Sequence, residues 1–290
     1  MMQLHELIGN TPLIDLSALY DKPGVRLYGK LEGQNPGGSV KDRAALSMIR
    51  GALDSGRLGR GQRIVEATSG NTGIAIAMIA ATYGIPATLV MPENSTEERI
   101  KTMRAYGAEV ILTPAGGTIE YSRTLAQEME DGGDYVQLNQ FANDDNWRAH
   151  YRTTGPEVWR DTRGRVTHFV SSMGTTGTIT GTGRYLHERS DTVRIVGVQP
   201  TDGSRIPGIR RWSPGFLPAI YDETQVDRII DVSEAESVAA SDRLATEIGL
   251  FAGVSSGGAT TAALRLVDEL DRGLIVCIIC DRGDRYLSTR

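Results

Sequence analysis

Strand and helix patterns alternate along almost the whole of this chain, and that alternation restricts the fold more than any other feature. Residues 25–31 alternate like a strand, a helical pattern opens at Lys41 and fades near Ser55 and Gly56, and residues 62–67 read as a strand. Residues 74–83 form an all-apolar helix closed by Gly84 and Pro86. Strands at 87–91, 109–112 and 135–138 then alternate with helices at 95–106 and 117–129. Residues 147–160 are partly helical, with an interruption near Gly155 and Pro156. Strands at 166–170 and 193–198 flank a helix at 178–187, and helices at 233–247 and 259–270 precede a last strand at 274–280. This rhythm predicts an α/β protein built from βαβ units, with ligands at the carboxyl ends of parallel strands. Two such lobes sharing a cleft are expected. The rhythm fails only at 200–228, where Pro200, Pro207, Pro214 and Pro218 punctuate a segment holding Arg210, Arg211 and Trp212. Irregular stretches of this length inside compact proteins are usually lids or binding loops.

Composition removes several function classes. The 290 residues carry 31 basic and 36 acidic side chains, a formal net charge of -5, so nothing favours nucleic acid or an anionic membrane surface. No apolar run approaches the ~20 residues of a membrane span. The first six residues lack the basic and then apolar pattern of a signal peptide, and two cysteines make no disulfide framework. A cytoplasmic protein is expected.

Chemistry is first suggested by Asn35-Pro36-Gly37-Gly38-Ser39-Val40-Lys41-Asp42-Arg43. Ser39 and Asp42 are spaced as a capping box, which places Lys41 in the first turn of a helix. The positive end of the helix dipole disfavours a second positive charge by about 0.3–1 kcal/mol and so favours the neutral amine that a Schiff-base lysine needs. A surface lysine reaching water is the plainer explanation of this stretch by itself.

Two strand-to-helix loops suit anions. Gly174-Thr175-Thr176-Gly177-Thr178 is a candidate phosphate nest, and Thr68-Ser69-Gly70-Asn71-Thr72-Gly73, richer in side-chain donors, suits a carboxylate. No P-loop occurs, and the dinucleotide fingerprint fails because Gly181 and Gly183 lack its last glycine. Cys277 and Cys280 are three apart in a strand, so their sulfurs point to opposite faces and make neither a disulfide nor a metal site; Cys280, at the strand end, is placed to face a cleft. His5, His150, His168 and His187 show no metal spacing. Residues 281–285 read as a solvated, salt-bridged terminal turn.

Taken in order, the Lys41, Thr68–Gly73 and Gly174–Thr178 stretches and Gly253-Val254-Ser255-Ser256-Gly257-Gly258 resemble the fold-type-II pyridoxal-phosphate enzymes, of the two-lobed tryptophan-synthase-β-like fold. Within these the resemblance is to the cysteine synthases (O-acetylserine sulfhydrylases), and Ile8-Gly9-Asn10-Thr11-Pro12-Leu13 and Gln140-Phe141-Ala142-Asn143 extend it over nearly the whole chain. Ser204 to Trp212 and Cys280 to Tyr286 resemble the B-type bacterial branch, which as a group accepts thiosulfate as well as sulfide.

The resemblance implies each lobe a mostly parallel sheet with helices on both faces, a larger cofactor-holding lobe of residues 1–36 and 143–290, and a smaller mobile lobe of residues 37–142. It implies pyridoxal 5'-phosphate bound to Lys41, which then serves as the base for the α-proton. Asn71 would meet the ring hydroxyl oxygen, Gly174, Thr175, Thr176, Gly177 and Thr178 the phosphate, and Ser255 the pyridine nitrogen. Thr68, Ser69, Thr72 and Gln140 would take the substrate carboxylate. Arg210 and Arg211 would hold an anionic sulfur donor, with Cys280 nearby. The implied reaction makes L-cysteine from O-acetyl-L-serine and sulfide through an aminoacrylate, with S-sulfocysteine formed from thiosulfate, in a homodimer. Rival readings are another β-elimination or β-replacement enzyme of this fold, such as a serine dehydratase or a cystathionine β-synthase-like enzyme, and an idle binding protein built on it.

Overall fold

The computed structural model describes residues 2–68 and 70–289, and in these the chain makes two sheets. The first elements are β1 (Leu13–Asp15) and β2 (Val25–Leu31). Then come α1 (Lys41–Asp54), β3 (Arg63–Ala67), α2 (Asn71–Tyr83), β4 (Ala87–Pro92), α3 (Glu97–Ala105), β5 (Glu109–Thr113), α4 (Thr118–Asp131) and β6 (Tyr135–Gln137). The second half holds α5 (Asp144–Arg152), α6 (Thr154–Asp161), β7 (His168–Ser172), α7 (Gly177–His187), β8 (Arg194–Pro200), β9 (Arg228–Val232), α8 (Glu234–Ile248), α9 (Val254–Glu269) and β10 (Gly273–Ile279).

The smaller sheet has the order β5-β4-β3-β6 and is parallel throughout. The larger has the order β1-β2-β10-β7-β8-β9 and is parallel except for the β1–β2 pair. Because crossover helices cover both faces, the central strands read as continuous apolar runs: every residue of β4 is buried. Around the smaller sheet, Ala44, Met48, Ile49, Ile74, Met78 and Leu89 form one apolar layer, and Ala126 with Val65 and Val90 forms the other. Helix α2 is apolar all round and buried from Thr72 to Ala80, as a helix packed on every side must be. The larger sheet likewise has a layer under α8 and α9 and a second under α6 and α7.

Several sequence-based expectations need correction. Helix α9 starts at Val254 and not at the expected 259, so residues 254–258 form its first turn; a Cβ on Gly257 would run into the Ser237 carbonyl of α8, and only glycine permits that approach. The helical break near 155–156 falls earlier, at Thr153, and Pro156 sits in the first turn of α6, where its missing N–H costs nothing. Residues 228–232 are an edge strand that the sequence did not announce. Of the expected solvated turn at 281–285, Arg282 and Asp284 are exposed and ion-paired at 3.0 Å, but Asp281 and Arg285 are buried.

Candidate active site

Lys41 is the first residue of α1, and the turn before it is pinned to the far end of β10: Val40 N–H donates to the Cys280 carbonyl at 2.8 Å, and Ser39 bridges Asp281. The expected reciprocal cap does not form. Ser39 Oγ accepts from Lys41 N–H at 3.2 Å, but the Asp42 carboxylate turns back to Gly37 N–H at 2.5 Å. Burial pushes the Asp42 carboxyl up to about 7, and its Oδ1 has no partner. Among the described residues Lys41 Nζ makes no hydrogen bond and no ion pair. Desolvation lowers its pKa, opposed by the charges of Cys280, Asp281 and Glu32. The neutral amine expected from the helix dipole is thus favoured mainly by loss of water.

Opposing loops bring their donors to the same cleft, whose volume is about 920 Å³. Between β7 and α7, Thr176 has φ 71°, a left-handed conformation uncommon for a β-branched residue, and it turns the loop into a nest. A Cβ on Gly174 would lie 2.6 Å from the Gly208 carbonyl oxygen, and one on Gly177 would overlap Asn146 Oδ1. Among the described residues the N–H groups of Thr175, Thr176, Gly177 and Thr178 have no acceptor. Asn146 Nδ2 donates to Thr175 Oγ1 at 3.2 Å and to the Gln140 carbonyl at 2.7 Å, and His150 Nε2 lies 3.2 Å from Thr178 Oγ1. Burial, then the Arg43 charge, lowers His150 to about 3, so a neutral imidazole backs the nest. Neither His150 nor Asn146 carries a motif in the sequence; their spacing of four on α5, which places them on one face, is the available signal.

On the smaller sheet, Thr68 follows β3 directly, Asn71 opens α2, and Thr72 Oγ1 donates to Gln140 Oε1 at 2.7 Å. Ser69 lies outside the described residues. Behind this loop Glu66 accepts the N–H of Asn139 at 2.9 Å and of Gln140 at 3.4 Å, and burial raises its carboxyl to about 7. Asn71 is itself held: its Nδ2 donates to Asp281 Oδ2 at 2.6 Å and its Oδ1 accepts from Arg285 Nη1 at 2.6 Å. Tyr286 Oη donates to the same Asp281 oxygen at 2.6 Å.

The remaining predicted residues separate. Ser255 is buried in the first turn of α9 and lines the cleft together with Cys280, whose thiol burial raises to about 11 and so keeps neutral. Arg210 lines the cleft with no side-chain hydrogen bond or ion pair among the described residues, its guanidinium over the Trp212 ring at 5.5 Å. Arg211 also borders the cleft, but its guanidinium pairs with Asp231 at 2.5 Å and Asp202 at 3.2 Å and donates to the Pro200 carbonyl at 2.9 Å.

A buried charge network escaped the sequence analysis. Arg43 pairs with Glu32 at 2.7 Å and Glu157 at 2.7 Å; Lys30, fully buried, pairs with Glu157 at 2.6 Å and donates to the Thr11 carbonyl. It fastens the start of α1 to β2 and α6. Partners 114 and 127 residues apart leave no local pattern.

A group made of an aromatic aldehyde and a phosphate fits these residues: the nest offers unpaired N–H groups, and Lys41 offers an unpaired amine on the same cleft. The model of the family described as "Pyridoxal-phosphate dependent enzyme" matches residues 4–281. The chain is 55% identical over 284 residues to cysteine synthase B of Pseudomonas aeruginosa, covering 98% of this chain and 95% of that one. It is 53% identical over 289 residues to cysteine synthase B of Salmonella typhimurium, covering 100% and 95%. Solved structures agree: O-ureido-L-serine synthase superposes with a TM-score of 0.94 at 36% identity, over 100% of this chain and 94% of that one, and the Entamoeba histolytica cysteine synthase with 0.94 at 36%, over 100% and 90%. From the motifs, the two-sheet architecture and these likenesses together, the chain belongs to the pyridoxal-phosphate-dependent enzymes, in their cysteine synthase family.

Proposed function

We propose that the chain catalyses β-replacement on O-acetyl-L-serine, releasing acetate and forming L-cysteine with sulfide, and that it also takes thiosulfate to give S-sulfocysteine. The observation that carries this reading is the unpartnered Lys41 amine opening on the same cleft as the unpaired N–H groups of the 174–178 nest. Bound pyridoxal phosphate supplies an electron sink for the pair left on Cα when its proton departs.

The chain's own residues do the rest. Lys41 would carry the cofactor and, once displaced by the substrate amine, take the Cα proton at Nζ; its lowered pKa keeps that nitrogen free to accept. Thr175 to Thr178 would hold the phosphate, and Thr68, Thr72 and Gln140 the substrate carboxylate, with Glu66 fixing the Gln140 backbone. Ser255 would meet the pyridine nitrogen; a hydroxyl, unlike a carboxylate, does not enforce protonation there, which favours prompt loss of acetate from Cβ. Asn71 would meet the ring hydroxyl oxygen with the second hydrogen of Nδ2, the first being held by Asp281. Lys41 Nζ would return the proton to Cα once the sulfur nucleophile has replaced acetate at Cβ.

Residues 37–142 would move as the smaller lobe against 1–36 and 143–290, a division supported by the separate sheets. No helix among the described residues is long and apolar enough to cross a membrane. We infer a cytoplasmic homodimer from the family likeness, which sedimentation tests. Incubation with O-acetylserine and either sulfide or thiosulfate tests the chemistry: acetate with cysteine or S-sulfocysteine is expected, and acetate with pyruvate alone would refute it.

A further inference from the structure

Two aromatic rings meet edge to face in the cleft. Phe141, just beyond β6, and Trp212, on the irregular segment after β8, have centroids 5.6 Å apart and planes at 77°. Each carries a guanidinium: Arg123 of α4 lies 5.2 Å from the Phe141 centroid, and Arg210 lies 5.5 Å from that of Trp212. One half of the assembly belongs to the layer around the smaller sheet. The other half is tied to the nest, because Trp212 Nε1 donates to the Gly174 carbonyl at 2.8 Å and Arg210 N–H to the Met173 carbonyl at 2.9 Å.

Among the described residues neither guanidinium donates a hydrogen bond or forms an ion pair, and both line the cleft. Desolvation and then the charge of Arg123 lower the pKa of Arg210. Two positive groups that repel one another and form no ion pair among the described residues gain from a ligand that brings two negative charges. Planar guanidinium forks match oxyanions, and the ring faces behind them fix their planes. Arg211 does not compete for this role, since Asp202 and Asp231 already occupy it.

We propose that Arg123 and Arg210 form a clamp for the oxyanionic end of a small doubly charged sulfur donor, with Arg123 the residue that sets preference for such a donor over sulfide. The proposal rests on thiosulfate use as read above. Sulfide, small and at most singly charged near neutral pH, has no oxyanionic end for the clamp to hold.

The test compares wild-type holoenzyme with Arg123→Gln and Arg123→Lys in two assays. In the first, kcat/KM is measured with thiosulfate and with sulfide. The thiosulfate-to-sulfide ratio is expected to fall about tenfold in Arg123→Gln, through KM, and to recover in part in Arg123→Lys. In the second, inorganic sulfate is titrated calorimetrically at constant ionic strength, and Arg123→Gln is expected to weaken its Kd about tenfold. Equal losses with both donors, or an unchanged ratio with unchanged sulfate affinity, would overturn the clamp. A wild type that binds sulfate through Arg123 yet does not turn over thiosulfate would support the clamp while refuting the donor reading. Turnover of thiosulfate with sulfate affinity the same in Arg123→Gln would do the reverse.

Discussion

Lys41 and Arg43 are two positions apart on one helix, and their surroundings are opposites. Around Arg43 the charges are matched: it bonds Glu32 and Glu157, and Lys30 completes Glu157. Around Lys41 the polar groups are left over. Among the described residues its amine is unpartnered, and Asp42 Oδ1 and Asp281 Oδ1 are buried without partners. Buried polar groups are almost always satisfied, so the completed cluster fixes geometry, while the incomplete one is the place proposed above for a ligand.

That contrast can be broken in order of expected size. Lys41→Ala should lower β-replacement by about 10³-fold while leaving thermal unfolding of the ligand-free protein within a few degrees of wild type, as measured by initial rates and calorimetry. A loss below tenfold would remove Lys41 from the chemistry. Glu157→Gln should do the opposite, costing about 3–5 kcal/mol of stability in denaturant titration, because among the described residues it leaves the fully buried Lys30 paired only with Asp161 at 3.8 Å and Arg43 only with Glu32. A cost under about 1 kcal/mol would place that network with ordinary surface pairs.

Glu66 and Glu157 sharpen the comparison through pH. Burial raises the Glu66 carboxyl from 4.5 to about 7, so between those values the folded protein binds more protons than the unfolded chain, and this contribution to stability falls as pH rises. Glu157 is held down to about 2, where hydrogen bonds and charge from Arg43 outweigh its desolvation; its contribution is present above 4.5 and is lost as pH falls toward 2. Glu66→Gln should therefore flatten the decline between pH 5 and 7 by at most about 1.4 kcal/mol per pH unit, read from denaturation midpoints across that range. An unchanged slope would mean that Glu66 does not titrate there. The smallest effect belongs to Arg211→Gln, which removes partly exposed pairs worth about 0–1 kcal/mol and should shift donor preference less than Arg123→Gln does.

Much of this was legible in the sequence. The alternation that forecast parallel sheets held, and Lys41 lies in the first turn of α1 as expected, although the capping box that suggested it does not form. What was missed follows a physical pattern. The Gly and Ser residues at 253–258 read as a turn on local propensity, but they open α9 because only small residues let it approach α8. Strand β9 has a short, largely exposed edge sequence, Arg-Ile-Ile-Asp-Val, with no clean alternation. Asp281 and Arg285 looked like surface charges because their partners, Asn71 and the Gly37 carbonyl, are more than two hundred residues away in the chain. Arg123 carried no motif at all; its interest comes from Phe141 and Trp212 meeting in space.

The bond from the Trp212 indole to the Gly174 carbonyl ties the segment proposed to select the nucleophile to the loop proposed to grip the coenzyme. Retuning this scaffold toward a new attacking group is therefore not a matter of exchanging isolated side chains. A graft that preserves cofactor retention must carry 173–178 and 204–212 together, as one exchangeable cassette.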